Sequence, residues 1–367
     1  MHIAIITNMV APYRVPLFRA LAGQPGVTRL SVLVCVDKES DRQWTVCTDD
    51  SFEVVRLRGH TIQRSAGGDR LRIVHLRWEV MPWLLRQRPD RVIIGDASWT
   101  SYLAGLACRL GRLKYWVWSE ITPASKTHEG LTAKLRRWMY RGARACLAAS
   151  QEAKRYLMLQ GVPASQIRQV TNAIDVQAIQ SAVTHWRPQS EALRQALGVR
   201  PGAFLFLYVG QLITRKRVQE TMAQLERVAA HHPVHLVVAG SGPLESVLRQ
   251  QAAQCAHLGT SFTGYVEGDA LWRLYACADA LVLMSDDEPW GMVISEALAC
   301  GLPFVASRHV AAAVEFQEQG VIVDEIKHID SQILTRIAHL QDPWDRLPCI
   351  TPENWAESLL DVVRFVE

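Results

Sequence analysis

The stretch Glu288-Pro-Trp-Gly-Met-Val-Ile-Ser-Glu296-Ala-Leu-Ala-Cys-Gly301 lies between two apolar runs, residues 278–284 and 303–307. Both runs read as buried strands, and the intervening segment reads as a short helix that Gly301 ends. In an open parallel sheet such a strand-to-helix corner brings the carboxyl ends of strands to the positive end of a helix, where nucleotide phosphates are usually held. Gly291 lets backbone approach a ligand, and the next amides, those of Met292 and Val293, are first-turn donors without an intrahelical acceptor. Glu296 sits about one turn further in at ~1.5 Å per residue, so the two carboxylates flank a phosphate-sized gap at different depths. The plainer alternative is a turn followed by two solvated glutamates favoured by the helix dipole.

The pattern E-P-W-G-M-x-x-x-E-A-x-A-x-G-x-P resembles the donor-site signature of retaining glycosyltransferases of the GT-B fold, specifically glycosyltransferase family 4, in which seven residues separate the two glutamates as they do here. The resemblance implies that Glu296 holds the ribose hydroxyls of a nucleotide sugar and Glu288 contacts the transferred sugar. It also implies that the amides after Gly291 bind the diphosphate, with Trp290 beside the donor. Carboxylate oxygens accept pairs of hydroxyl hydrogen bonds and a helix N-terminus attracts phosphate, so the chemistry agrees.

A chain of 367 residues is too long for one ordinary core and suits two domains. Hydrophobic content of 49% with 21% charged residues describes a globular protein and excludes a disordered one. Its longest apolar runs, such as residues 204–209, are strand-length and far short of a membrane span. Met1-His-Ile-Ala-Ile-Ile-Thr7 is too short and lacks the basic leader of a signal peptide, so it reads as the first strand. Eight cysteines without a C-x-x-C pair fit buried thiols in a reducing cytoplasm. Residues 1–185 carry 26 Lys/Arg against 14 Asp/Glu, whereas the remainder carries 14 against 22. A basic half suits nucleic acid, an anionic membrane or a phosphorylated substrate, and charge alone does not choose among them.

Strands and helices alternate along both halves, which is the pattern of doubly wound α/β domains. The first half reads as strands at 2–8, 30–36, 52–57, 91–96, 115–120, 145–150 and 167–172, with helices at 15–22, 73–87, 100–110, 131–141 and 151–160. The polar segment 173–202 reads as the connection between domains. A second alternation runs from 204 onward, and helices near 331–340 and 352–365 close the chain. The expected domains are therefore 1–180 and 190–350, two Rossmann-like domains facing across a cleft as the resemblance implies, with the last helix, 351–367, packing back on the first domain.

Gly210-Gln-Leu-Ile-Thr-Arg-Lys216 resembles the G-R-L-x-x-x-K segment of the same family. Lys216 matches the phosphate-facing lysine, while Gln211 replaces the usual arginine, a loss for which Arg215 or Arg217 is placed to compensate. Phe262-Thr-Gly-Tyr-Val266 resembles the F-x-G-x-V segment whose backbone meets the nucleobase, making Val266 a donor-side candidate. Gly240-Ser-Gly-Pro-Leu is no dinucleotide fingerprint, because Glu245 stands where the third glycine belongs.

In the first domain, Asn8-Met-Val-Ala-Pro12-Tyr13-Arg14 takes the place of the family's Gly-Gly loop, and Arg14 is a candidate for meeting the diphosphate with a side chain. Glu120 stands where many relatives have histidine, as a candidate for binding a sugar hydroxyl or receiving the acceptor proton; Asp96 is placed equally well. Twelve histidines show no metal spacing, and no metal or other cofactor is expected. Lys134 to Arg144 combines five cationic residues with Trp138, Met139 and Tyr140, a mixture suited either to a helix on an anionic bilayer or to an amphipathic helix packed on the sheet.

These readings converge on a metal-independent enzyme that moves a sugar from a nucleotide-sugar donor to a sugar or lipid-linked saccharide acceptor with retention, through an oxocarbenium-like transition state. The expected setting is polysaccharide or glycolipid assembly in the cytoplasm, at the inner membrane face, with no nucleic-acid partner. A sugar-nucleotide epimerase of the same fold and a noncatalytic nucleotide-sugar-binding homologue are the alternatives.

Overall fold

The computed structural model describes residues 1–38, 49–65, 71–95, 98–125, 130–340 and 350–365. The chain forms two compact units, one of Met1–Asp175 with Ile350–Glu367 and one of Val176–Cys349.

The first unit is built on β1 (His2–Thr7), β2 (Arg29–Val34), β3 (Glu53–Arg56), β4 (His60–Ser65), β5 (Leu71–Leu76), β6 (Arg91–Gly95), β7 (Tyr115–Ser119), β8 (Cys146–Ala148) and β9 (Ile167–Gln169). Its helices are α1 (Val15–Ala22), α2 (Val80–Gln87), α3 (Trp99–Gly111), α4 (Leu131–Gly142) and α5 (Gln151–Leu159). Seven strands form one parallel sheet in the order β3-β2-β1-β6-β7-β8-β9. Because side chains alternate across a strand, Ile3, Ile5, Trp116 and Trp118 join one core and Ala4, Ile6, Tyr115 and Val117 join another. Helices cover both faces, which is why these strands are apolar throughout.

The second unit contains α6 (Val176–Trp186), α7 (Ser190–Ala196), β10 (Phe204–Val209), α8 (Val218–Ala229), β11 (Val234–Ala239), α9 (Glu245–Gln254), β12 (Gly259–Gly264), α10 (Asp269–Cys277) and β13 (Ala280–Leu283). It continues with α11 (Met292–Ala299), β14 (Phe304–Ser307), α12 (Ala311–Glu315), β15 (Gly320–Val323) and α13 (Ile333–Ala338). The six strands are parallel in the order β12-β11-β10-β13-β14-β15. Chain order reverses between β10 and β13, the kind of switch point at which ligands enter open α/β sheets. After Phe365 the chain has no further described residues; its last element, α14 (Pro352–Phe365), belongs to the first unit. Trp355, Ala356, Leu359, Leu360 and Val363 of α14 join the core that holds Phe18 and Leu21 of α1.

Three expectations are corrected. The segment 73–87 is not one helix: Leu71–Leu76 pairs antiparallel with His60–Ser65, and the helix starts only at Val80. A short apolar run does not by itself distinguish strand from helix, and here the antiparallel partner decides. The connection 173–202 is not without structure: it contains α6 and α7, and α6 buries Val176, Ile179 and Val183 at helical spacing. Finally, α4 does not offer an aromatic face to a bilayer. Met139 and Tyr140 are fully buried, Arg136 is buried with its guanidinium 3.0 Å from the Tyr156 hydroxyl, and Arg109 stacks on Trp138. Among the described residues no helix is long and apolar enough to cross a membrane.

Candidate active site

The corner after β13 is shaped by Gly291, whose φ of 93° lies in the left-handed region. A β-carbon there would come within 2.8 Å of Val310 and 3.3 Å of Glu288, so neither conformation nor space admits a side chain. Helix α11 starts immediately afterwards, and the Met292 and Val293 amides sit at its positive end. Glu288 is clamped by its backbone: its N–H donates to His309 O at 3.0 Å and its carbonyl accepts from Ala311 N at 3.2 Å.

The Glu288 carboxylate meets cations from the loop after β10. Lys216 Nζ donates to Glu288 Oε2, the same oxygen lies 3.3 Å from Ser285 Oγ, and Arg215 Nη1 is at 3.5 Å. The Lys216 and Glu288 side chains are only 10% and 15% exposed, which dismisses the reading of Glu288 as a solvated glutamate. Burial pushes the Glu288 carboxyl pKa up, but Lys216 and Arg215 outweigh it and hold the group below its ordinary value. All these contacts use Oε2, leaving Oε1 for a hydroxyl among the described residues. Arg215 also donates to Asp287 O at 2.7 Å, whereas Arg217 is engaged by Asp286 at 3.2 Å.

Glu296, about one turn into α11, is half-buried and accepts at Oε2 from the Tyr275 hydroxyl at 2.8 Å. Burial raises its pKa and the tyrosine hydrogen bond opposes this only in part. Gln211 is half-buried, with its carbonyl accepting from Tyr208 OH at 2.8 Å. Val266 lies half-buried beyond the end of β12. Trp290 is a correction: it is 4% exposed, donates Nε1 to Ser295 Oγ at 3.2 Å and sets its ring edge-on to Phe316, so its side chain belongs to the core and not to a donor surface.

The glycines of Gly240-Ser-Gly242 also acquire a reason. A β-carbon on Gly240 would stand 1.8 Å from Gly210 O, and one on Gly242 would stand 2.5 Å from Leu212 O. They let the loop after β11 press on the loop carrying Gln211, a packing role that motif matching does not reveal.

In the first unit, taken by itself, Arg14 and Glu120 are partners. Arg14 Nη2 lies 2.9 Å from Glu120 Oε1, its Nη1 donates to Thr7 Oγ1 at 3.0 Å, and Asn172 Nδ2 reaches the same glutamate oxygen at 3.2 Å. The guanidinium lies over Trp118, 4.8 Å from the ring centroid. Arg14 is therefore not an uncommitted cation awaiting phosphate, and Asn172, Thr7 and Trp118 are contacts of these candidates that sequence reasoning missed, because only the strand ends of the folded sheet assemble them. Asp96 lies outside the described residues. Among the described residues no group of three His, Cys, Asp or Glu is arranged to hold a metal ion.

Residues 32–178 match the family described as Glycosyltransferase Family 4, and residues 189–334 match Glycosyl transferases group 1. An uncharacterized glycosyltransferase of Methanocaldococcus jannaschii is 36% identical over 118 residues, 31% of this chain and 30% of that protein. Glycogen synthase of Mycobacterium tuberculosis is 40% identical over 110 residues, 29% of this chain and 27% of the relative. The chain thus spans about a third or less of the length of these curated relatives. Among solved structures, Anabaena HepE in complex with UDP and glucose superposes with a TM-score of 0.73 at 18% identity, covering 99% of both chains. The lipopolysaccharide outer core galactosyltransferase WaaB gives 0.69 at 16% identity, covering 100% of this chain and 99% of that one. Two Rossmann-like parallel sheets, a glycine-led corner carrying Glu288 and Glu296, and these matches establish that the chain belongs to the group 1, family 4 glycosyltransferases and has their GT-B fold.

Proposed function

We propose that this protein transfers a sugar from a nucleotide-sugar donor to an acceptor hydroxyl with retention at the anomeric carbon, in cytoplasmic polysaccharide or glycolipid assembly. The observation that carries the reading is the corner at Gly291, where a helix start, a buried lysine and two carboxylates whose Oε1 atoms have no partner among the described residues stand together. The bond between the anomeric carbon and the diphosphate breaks with its electron pair on the leaving phosphate oxygen, the acceptor oxygen bonds to the same face of the sugar, and the acceptor's hydroxyl proton passes to the leaving phosphate oxygen. The Met292 and Val293 amides and Lys216 meet the charge that develops on the leaving group. Glu288 Oε1 accepts a hydroxyl of the transferred sugar, Glu296 Oε1 takes the ribose, and Val266 and Gln211 line the base and phosphate sides. Glu120, held by Arg14, takes a sugar hydroxyl in the first unit. UDP bound to the structural relative HepE makes uridine the first base to test.

A thermal-shift panel of UDP-, GDP- and dTDP-sugars in excess EDTA tests the reading. The right donor at 100 times its Kd adds ~2.7 kcal/mol of stability, and silence across the panel would overturn the proposal. A shift that vanishes with EDTA and returns with Mn²⁺ would overturn its metal independence.

Glu296→Gln separates binding from folding. The variant keeps an acceptor for Tyr275 yet loses the charge-assisted ribose contacts, so nucleotide binding is expected to weaken by ~1.5–3 kcal/mol. Stability should move oppositely. A carboxyl whose folded pKa lies above its unfolded value loses stability as pH rises between the two, and the penalty persists at neutral pH until glutamine removes it. Calorimetric titration showing wild-type affinity in the variant would refute the ribose assignment.

A further inference from the structure

Arg77, which follows β5, is 8% exposed, yet among the described residues no carboxylate pairs with its guanidinium. Nη2 donates to Thr61 Oγ1 at 2.7 Å, while Nε is buried with no hydrogen-bond partner. The nearby Glu79 is already engaged, accepting from Arg58 N at 2.7 Å. A guanidinium cannot shed its proton, so a buried one needs either a complete set of acceptors or an anion. The position is held from two sides. Arg77 N–H donates to Thr100 Oγ1 at 3.1 Å, and Thr100 in turn donates to His75 O at 3.1 Å, which fastens the arginine backbone to the first turn of the 13-residue helix α3. On the other side Gly59 packs so closely that a β-carbon there would come 2.7 Å from Arg77 Cα and 3.0 Å from its Cδ. Thr61, on β4, is exposed.

We propose that Arg77, with Thr61, forms an anion site that takes the phosphate group of a phosphorylated acceptor. A planar fork of N–H donors matches phosphate oxygens, and the exposure of Thr61 lets a group carried on a larger molecule reach it. The basic excess of residues 1–185 favours the same sign of ligand. The acceptor assignment rests on the transferase reading above; the anion site does not.

Calorimetric titration of the full chain with inorganic phosphate, glucose 6-phosphate and glucose tests the site, with UDP titrated in parallel. Wild type is expected to bind glucose 6-phosphate at least about tenfold more tightly than glucose, the worth of one charge-assisted hydrogen bond, with inorganic phosphate competing. Arg77→Gln should abolish the preference and Arg77→Lys should keep part of it, with UDP affinity unchanged in both. Thr61→Val, on the exposed strand, should weaken the preference severalfold and decides the matter should Arg77→Gln fail to fold. Sedimentation with phosphatidylglycerol vesicles that depends on Arg77 would assign the phosphate to a lipid-borne acceptor. Wild-type preference retained in Arg77→Gln or Thr61→Val, or no preference in wild type, would overturn the site. Failure of wild type to bind any nucleotide, with the Arg77 dependence intact, would instead refute the donor reading and leave the site standing.

Discussion

Lys216→Ala is expected to destabilise the second unit by about 3 kcal/mol, the lower end of the cost of removing one partner from a buried ion pair. Lys216 and Glu288 are 10% and 15% exposed, so the glutamate would remain largely desolvated, with only Ser285 and the more distant Arg215 on its shared oxygen. The pH dependence gives a second handle. Because Glu288 titrates below its ordinary value in the folded protein, the stability it contributes is present above the ordinary carboxylate pKa and is lost as pH falls through the lowered folded value. Lys216→Ala should flatten that acid limb. Adding Glu288→Gln should recover most of the stability by removing the uncompensated charge, while sugar transfer stays depressed by ~10²-fold or more, as expected for loss of a donor to the leaving diphosphate. Urea unfolding and initial rates on the same variants separate the two roles; wild-type stability and wild-type rates in Lys216→Ala would dispose of both.

The second large effect is expected at Trp355. This residue of α14 is 1% exposed and lies 5.6 Å from Trp118 and 6.4 Å from Phe18 between ring centroids. Trp355→Ala should cost ~3–5 kcal/mol through lost burial and the cavity left behind. Trp355→Phe should cost much less, since it keeps aromatic packing and removes an indole N–H that has no hydrogen-bond partner among the described residues. A functional consequence follows through contact: Trp118 supports the Arg14 guanidinium, which holds Glu120. The alanine variant should therefore impair the Arg14–Glu120 pair as well as the fold, whereas the phenylalanine variant should spare both. Equal unfolding midpoints for wild type and Trp355→Ala would contradict the packing argument.

The residues from Glu288 to Gly301 disclosed the site because its first requirements are local. A glycine that must adopt a left-handed conformation, a helix start and two glutamates separated by seven residues are all sequence properties, and they survive folding unchanged. The alternation of strand and helix likewise announced two doubly wound units, since apolar strands between amphipathic helices have few other ways to be covered. The helix wrongly expected at 73–87 shows the limit of that reading. A short apolar segment has no preference of its own between strand and helix, and only the antiparallel partner at His60–Ser65 settles the matter.

Tertiary structure decided which charges meet and which side chains remain available. Lys216 and Glu288 are 72 positions apart and Arg14 and Glu120 are 106 apart, so their pairing depends on strand order, which local pattern does not encode. The same packing removed Trp290 and the aromatic side of α4 from any ligand surface and left Arg77 buried beside the exposed Thr61. The sequence by itself determined the fold class and the donor-like corner, because those rest on backbone conformation and periodic hydrophobicity. Side-chain environment, and with it pKa, partner and accessibility, was decided only when distant strand ends were brought together.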